Sequence, residues 1–153
     1  MARDEGQFVG FMLGGGHYGV DIMRVEEIIR HTEITPVPRA PHFLEGIINL
    51  RGRVIPVIDL RKRLSIASEA GDINDTRIIV MKFESRYLGF LVDKVEQVLT
   101  IASADIGEAP ATSAVAKKYI AGVARLERTM VVILDVLKIF SADEESTLQS
   151  MKF

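Results

Sequence analysis

Apolar residues fall along this chain in short runs rather than at helical spacing. FVGFML (8–13), HYGVDI (17–22), LEGIINL (44–50) and RVIPVIDL (53–60) are rich in Val, Ile, Phe and Tyr. RIIVMKF (77–83), YLGFLVD (87–93), YIAGVARL (119–126) and MVVILDVL (130–137) have the same character. Turn residues punctuate these runs, so the pattern predicts eight strands and an all-β fold with short helices. RVEEIIR (24–30) and KVEQVL (94–99) read as short helices, as do LRKRL (60–64) and VLKIF (136–140). All four are too short to be stable without packing. Pro56 has no N–H for a ladder, which predicts an edge or a bulge at its position.

The chain also repeats itself once. YGVDIMRVEEII (18–29) matches YLGFLVDKVEQVL when Gly19 is set on Gly89, which places Val25 on Val95 and Ile28 on Val98. FLEGIINLRGRVIPVIDLRKRL (43–64) matches YIAGVARLERTMVVILDVLKIF (119–140), with Gly46 on Gly122, Leu50 on Leu126, Val57 on Ile133 and Asp59 on Asp135. Two copies of one design predict two similar subdomains, 6–66 and 76–141, inside one domain over 6–141. Closure of each into a small barrel would spare its short strands an open edge. The polar stretch SIASEAGDIND (65–75) is the expected linker, and 142–153 an exposed tail.

Strand alternation sets Val54, Pro56 and Ile58 on one face and Ile55 and Val57 on the other. Met130, Val132 and Leu134 oppose Val131 and Ile133 in the same way. A barrel has one interior, so the outward apolar faces need cover from the other subdomain, from a partner, or from both.

Composition narrows the function. The 153 residues are 48% hydrophobic and 26% charged, which is globular, and the net charge of -2 is no footprint for nucleic acid. A small-barrel nucleic-acid binder, one alternative reading, would need a basic groove with aromatic platforms. There is no cysteine, which removes thiolate metal sites, disulfides and thiol catalysis. No apolar run reaches the ~18 residues of a membrane helix, and the first residues have no signal-peptide character, so a cytoplasmic protein is expected.

Candidate chemistry is sparse. GGGHYG (14–19) fits G-x-G-x-x-G, but it joins two strand-like runs with no following helix, so a hairpin turn is the reading and a dinucleotide site is not. His17, His31 and His42 lack metal-ligand spacing, and no metal or cofactor is expected. Asp59 and Asp135 each follow a strand and precede a helical stretch, which makes them helix caps rather than a catalytic pair. No nucleophile has a base in context, and no catalysis is expected.

The block FLEGIINLRGRVIPVIDLRKRL, with YGVDIMRVEEIIR before it and LGFLVDKVEQVL and the YIAGVARL to LDVLKIF stretch after it, resembles the CheW-like coupling proteins of bacterial chemotaxis. The resemblance covers about residues 7 to 141. It implies two five-stranded β-barrels packed together, no catalysis, and an adaptor bridging chemoreceptors and a CheA-type histidine kinase. The kinase regulatory domain shares this fold, so an excised domain of that kind is a second alternative. The implied partners are that regulatory domain, through barrel contacts, and the helical tip of a receptor, through a groove between subdomains. Membrane receptor arrays would then be reached through partners, without insertion. Matched positions place Arg51, Val54 and Ile55 on the kinase side and Val25, Glu27 and Gly46 on the receptor side. Val98 joins the latter as the counterpart of Ile28.

The repeat bears on Arg51 directly. Arg51-Gly52 is Glu127-Arg128 in the second copy, so the shared frame does not demand Arg-Gly. Gly52 is expected in the left-handed position of a three-residue hairpin loop, after a type I turn through Leu50 and Arg51. Arg51 would then stand on a rigid tip beside an apolar strand, as an interface anchor does.

Overall fold

All eight predicted strands form, and alternation decides where their side chains go. The structure, a computed structural model, describes residues 5–66, 72–83, 86–109 and 117–139. The first copy holds β1 (Glu5–Leu13), β2 (Gly16–Asp21), β3 (Val25–Arg30), β4 (Leu44–Leu50), β5 (Arg53–Asp59) and helix α1 (Leu60–Arg63). The second holds β6 (Arg77–Phe83), β7 (Arg86–Val92), β8 (Lys94–Ala102), β9 (Ile106–Gly107), β10 (Ile120–Arg125) and β11 (Met130–Leu134). A 3-10 turn, Val136–Lys138, follows β11 where α1 follows β5.

Two of the four expected helices are strands. RVEEIIR becomes β3 and KVEQVL lies within β8, an edge strand of each sheet. In β3, Val25, Glu27 and Ile29 turn inward while Glu26, Ile28 and Arg30 turn out, a period of two. An inward carboxylate hides that alternation in the sequence. LRKRL and VLKIF do form a short helix and a 3-10 turn, and both are capped as expected. Asp59 Oδ1 accepts from the N–H groups of Arg61 at 3.0 Å and Lys62 at 3.3 Å, and Asp135 Oδ1 from that of Leu137 at 3.1 Å.

The strands make two sheets, ordered β8-β1-β2-β11-β10-β9 and β3-β6-β7-β5-β4. These orders correct the contiguous subdomains 6–66 and 76–141. Each copy lends its first hairpin to the other copy's sheet, so β1–β2 lies with β8, β10 and β11, and β6–β7 with β3, β4 and β5. The two sheets are related strand for strand by the sequence repeat. In the parallel pairings Gly19 faces Ile133 and Gly89 faces Val57, the same pair of equivalent positions in both. Asp59 N–H donates to the carbonyl of Phe43 and Asp135 N–H to that of Tyr119, each at 2.9 Å and again equivalent.

Neither sheet closes into a barrel by backbone pairing: β3 and β4 are the edges of one, β8 and β9 of the other. Both curl enough to hold a small interior of their own. Ile48, Ile55, Val57, Ile78 and Val80 fill one, and Ile101, Ala124, Val131 and Ile133 the other. The larger core lies between the sheets. Phe11, Leu13 and Val20 meet Ile58, Ile79, Met81 and Phe90 there, all nearly inaccessible to solvent. Burying one side chain of this size stabilises the fold by about 1.5–3 kcal/mol. β6 serves two cores at once, with Ile78 and Val80 facing one and Ile79 and Met81 the other. The outward faces are thus mostly spent on each other. Val54 and Met130, equivalent positions at strand starts, stay exposed at 38% and 50%.

Pro56 is on neither an edge strand nor a bulge. It pairs with Ile47 of β4, one residue before the ladder between β5 and β7 begins at Val57. The linker core 67–71 and the tail 142–153 lie outside the described residues.

Candidate protein-docking site

The Arg51-Gly52 step is a two-residue hairpin loop, since Leu50 pairs directly with Arg53. Arg51 has φ 53° and Gly52 φ 80°, both left-handed, as a type I′ turn requires. This replaces the expected three-residue loop, because the right-handed twist of β4 and β5 favours the primed turn. Asn49 Oδ1 accepts from Gly52 N–H at 3.0 Å and fixes the tip. GGGHYG turns in the same way, with positive φ at Gly14 and Gly15 between β1 and β2, which confirms the hairpin reading.

Left-handed φ costs a non-glycine residue conformational energy, and only Arg39, Arg51 and Ser65 pay it among the described residues. Glu127 and Arg128, the second-copy equivalents, do not. The tip projects Arg51 toward the opposite edge of its sheet, where Nη1 binds Glu27 Oε1 on β3. That hydrogen bond, and then the carboxylate charge, hold the Arg51 pKa above the ordinary guanidinium value. Edge strands β3 and β4 share no ladder, so the ion pair bridges the seam between them.

Behind the ion pair lies a mouth of about 140 Å³, opening on the small interior beside Ile55 and Val80. Arg53 lies over the Tyr87 ring, 4.0 Å from its centroid, and Lys82 approaches the same ring at 5.7 Å. Reasoning from the sequence did not single out Arg53, Lys82 or Tyr87. Their meeting depends on β5, β6 and β7 being neighbours in the sheet, which no local pattern states.

The site residues expected from the sequence fall into three groups. Arg51, Glu27 and Val54 reach the surface around the hairpin tip, and the first two, assigned to different partners, touch each other. Ile55 is 1% exposed in the small interior, and Gly46 is buried with no room for a Cβ beside the Thr35 carbonyl. Both serve the fold at these positions, and Ile55 also lines the floor of the mouth. Val25 is half-buried against the central core, at a bulge in the β3–β6 ladder. Val98 is 51% exposed but lies on β8, in the other sheet from Glu27.

The CheW-like domain family matches residues 7–144. The chain belongs to the CheW-like family. It is 34% identical to the chemotaxis protein CheW of Treponema pallidum, over 99% of this chain and 92% of that one. The CheW of Klebsiella aerogenes is also 34% identical, over 95% of this chain and 87% of the relative. The crystal structure of the scaffolding protein TtCheW from Thermoanaerobacter tengcongensis superposes with a TM-score of 0.83. It shares 34% identity, with 91% of this chain and 90% of that chain covered.

The six-stranded sheet of this CheW-like chain carries the equivalent mouth. Leu126 and Val131 stand for Leu50 and Ile55, and Glu96 for Glu26. The closing groups are replaced, with His17 where Tyr87 stands, Thr129 where Arg53 stands and Gln97 where Glu27 stands. This mouth holds about 530 Å³. His17 Nδ1 and Glu96 Oε1 lie 2.9 Å apart on its rim. Among the described residues no cluster of His, Asp or Glu could hold a metal ion, and no helix is long and apolar enough to cross a membrane.

Proposed function

We propose that this chain is a non-catalytic adaptor that couples chemoreceptors to a CheA-type histidine kinase and sets kinase activity through protein contacts. It works in the cytoplasm, held at receptor arrays by its partners. The observation that carries this reading is the hairpin tip. One exposed arginine is held in an unfavourable backbone conformation that the equivalent turn avoids, and it pairs with Glu27 across the mouth. Exposed ion pairs contribute little to stability, so the fold gains little from this arrangement. A protein interface gains a preorganised anchor.

Arg51 and Val54 form the kinase side. Val25, Glu27 and Val98 form the receptor side, with Val98 reached from the second sheet. The Arg51–Glu27 ion pair joins one member of each set, so a partner that engages the guanidinium displaces and frees the carboxylate that the other set uses. Such an adaptor acts by binding the kinase states with different affinity.

Arg51→Glu tests the reading. Its circular dichroism and melting should match the wild type while kinase stimulation in reconstituted receptor arrays is lost. The double reversal Arg51→Glu with Glu27→Arg restores the internal ion pair but not the anchor, and should remain inactive. An unfolded Arg51→Glu protein, or one that still stimulates the kinase, sinks the assignment.

A further inference from the structure

The Arg51-Gly52 sequence does not by itself require a left-handed arginine. A type II turn has the same two central residues, keeps positive φ at the second and leaves φ negative at the first. The second copy turns in as few residues without the strain. Leu126 N–H donates to the Thr129 carbonyl at 2.9 Å there, and neither Glu127 nor Arg128 has positive φ. Strand twist favours the primed turn, but strands of both copies share the right-handed twist. A group outside residues 51 and 52 therefore holds Arg51 at φ 53°.

The copies differ at the end of the incoming strand. Asn49 stands on β4 where Arg125 stands on β10. Asn49 is exposed and fills no core, and its Oδ1 accepts from Gly52 N–H at 3.0 Å. A guanidinium has donors only, so Arg125 cannot make the equivalent bond. The Asn49 bond reaches past Arg51 and ties down the peptide that joins it to Gly52. With that peptide held, the Arg51 side chain crosses the seam to Glu27. The carboxamide acceptor and the left-handed arginine occur in one hairpin and are missing together from its equivalent.

We propose that Asn49 is a positioning residue for docking: it holds Arg51 in the left-handed conformation that presents the guanidinium to the kinase regulatory domain, and it acts through Arg51 alone. The partner rests on the adaptor reading; the turn geometry rests on the hairpin. An arginine already held in its docking conformation loses less freedom on binding, which is how preorganisation raises affinity.

A double-mutant cycle on the full chain tests it, with the purified regulatory domain of a CheA-type kinase as the probe. Asn49→Ala should keep the wild-type circular dichroism spectrum and weaken binding by about two- to tenfold, the worth of one hydrogen bond. In an Arg51→Ala background the same change should have no further effect, because nothing is left to position. NMR reads the turn without a partner. The HN–Hα cross-peak within residue 51, strong only at positive φ, should be strong in the wild type and in Asn49→Asp, which keeps an acceptor, and weak in Asn49→Ala. A strong peak in Asn49→Ala overturns the proposal, and so do equal losses of binding in both backgrounds, the mark of a direct contact. Weaker binding by Arg51→Ala with none lost by Asn49→Ala overturns it and leaves the adaptor reading standing. Binding unchanged by Arg51→Ala overturns both.

Discussion

The two mouths share part of their floor and differ in their closures. Leu50 and Ile55 in one are Leu126 and Val131 in the other, but an arginine-stacked tyrosine and an Arg–Glu pair close only the first. The volumes are about 140 Å³ and about 530 Å³, and besides the polar side chains the floor differs, with Gly10 in the second sheet where Val80 stands in the first. Two sheets of one design can therefore present different surfaces. The repeat separates what the fold needs, which both copies keep, from what only one surface needs.

The sharpest break in that comparison is at the bulge glycines. Gly46→Ala would drive a Cβ into the Thr35 carbonyl, backbone that cannot yield, at a φ of 154°. Gly122→Ala meets Ile106 Cγ2 and, less closely, the Gly107 carbonyl, without the positive φ of Gly46. Gly46→Ala should cost on the order of 3 kcal/mol or more and Gly122→Ala clearly less, read as denaturant midpoints with unchanged slope. Equal losses would mean that the two bulges are the same.

A smaller asymmetry is expected at the caps. Asp59 is 4% exposed and accepts from two backbone N–H groups, whereas Asp135 accepts from one and is more open. Asp59→Ala should cost about 2 kcal/mol and Asp135→Ala about 0.5–1 kcal/mol in the same assay.

The smallest effect comes from exchanging the closures. Arg53→Thr removes the guanidinium over Tyr87 and should cost about 0.5–1 kcal/mol. His17→Tyr with Thr129→Arg, built on the wild type, should gain a similar amount and shrink the larger mouth, which a crystal structure would show. If the transplanted pair does not stack, the mouths differ in backbone as well as in side chains.

Much of this was legible in the sequence. LEGIINL and RIIVMKF are β4 and β6 to the residue, GGGHYG is a tight hairpin, and Asp59 and Asp135 cap the helical turns next to them. These features depend on local chemistry: alternation, left-handed glycine and a carboxylate near free N–H groups. β3 looks helical in the sequence for a physical reason. Val25, Ile28 and Ile29 suggest one helical face, and an inward Glu27 makes sense only once Arg51 arrives from the distant β4–β5 hairpin.

The sequence by itself determined the all-β class, the repeat, the turn at Arg51-Gly52 and the family to which the chain belongs. It could not say which hairpin completes which sheet. Because the copies are alike, the two parallel pairings are equivalent, Gly19 against Ile133 and Gly89 against Val57. That choice was made by tertiary structure: the short turn at Ile22–Arg24 and the single residue Asp93 carry the chain from one sheet to the other. The same choice placed Arg51 beside Glu27, Arg53 over Tyr87, and the two mouths at opposite ends of shared strands.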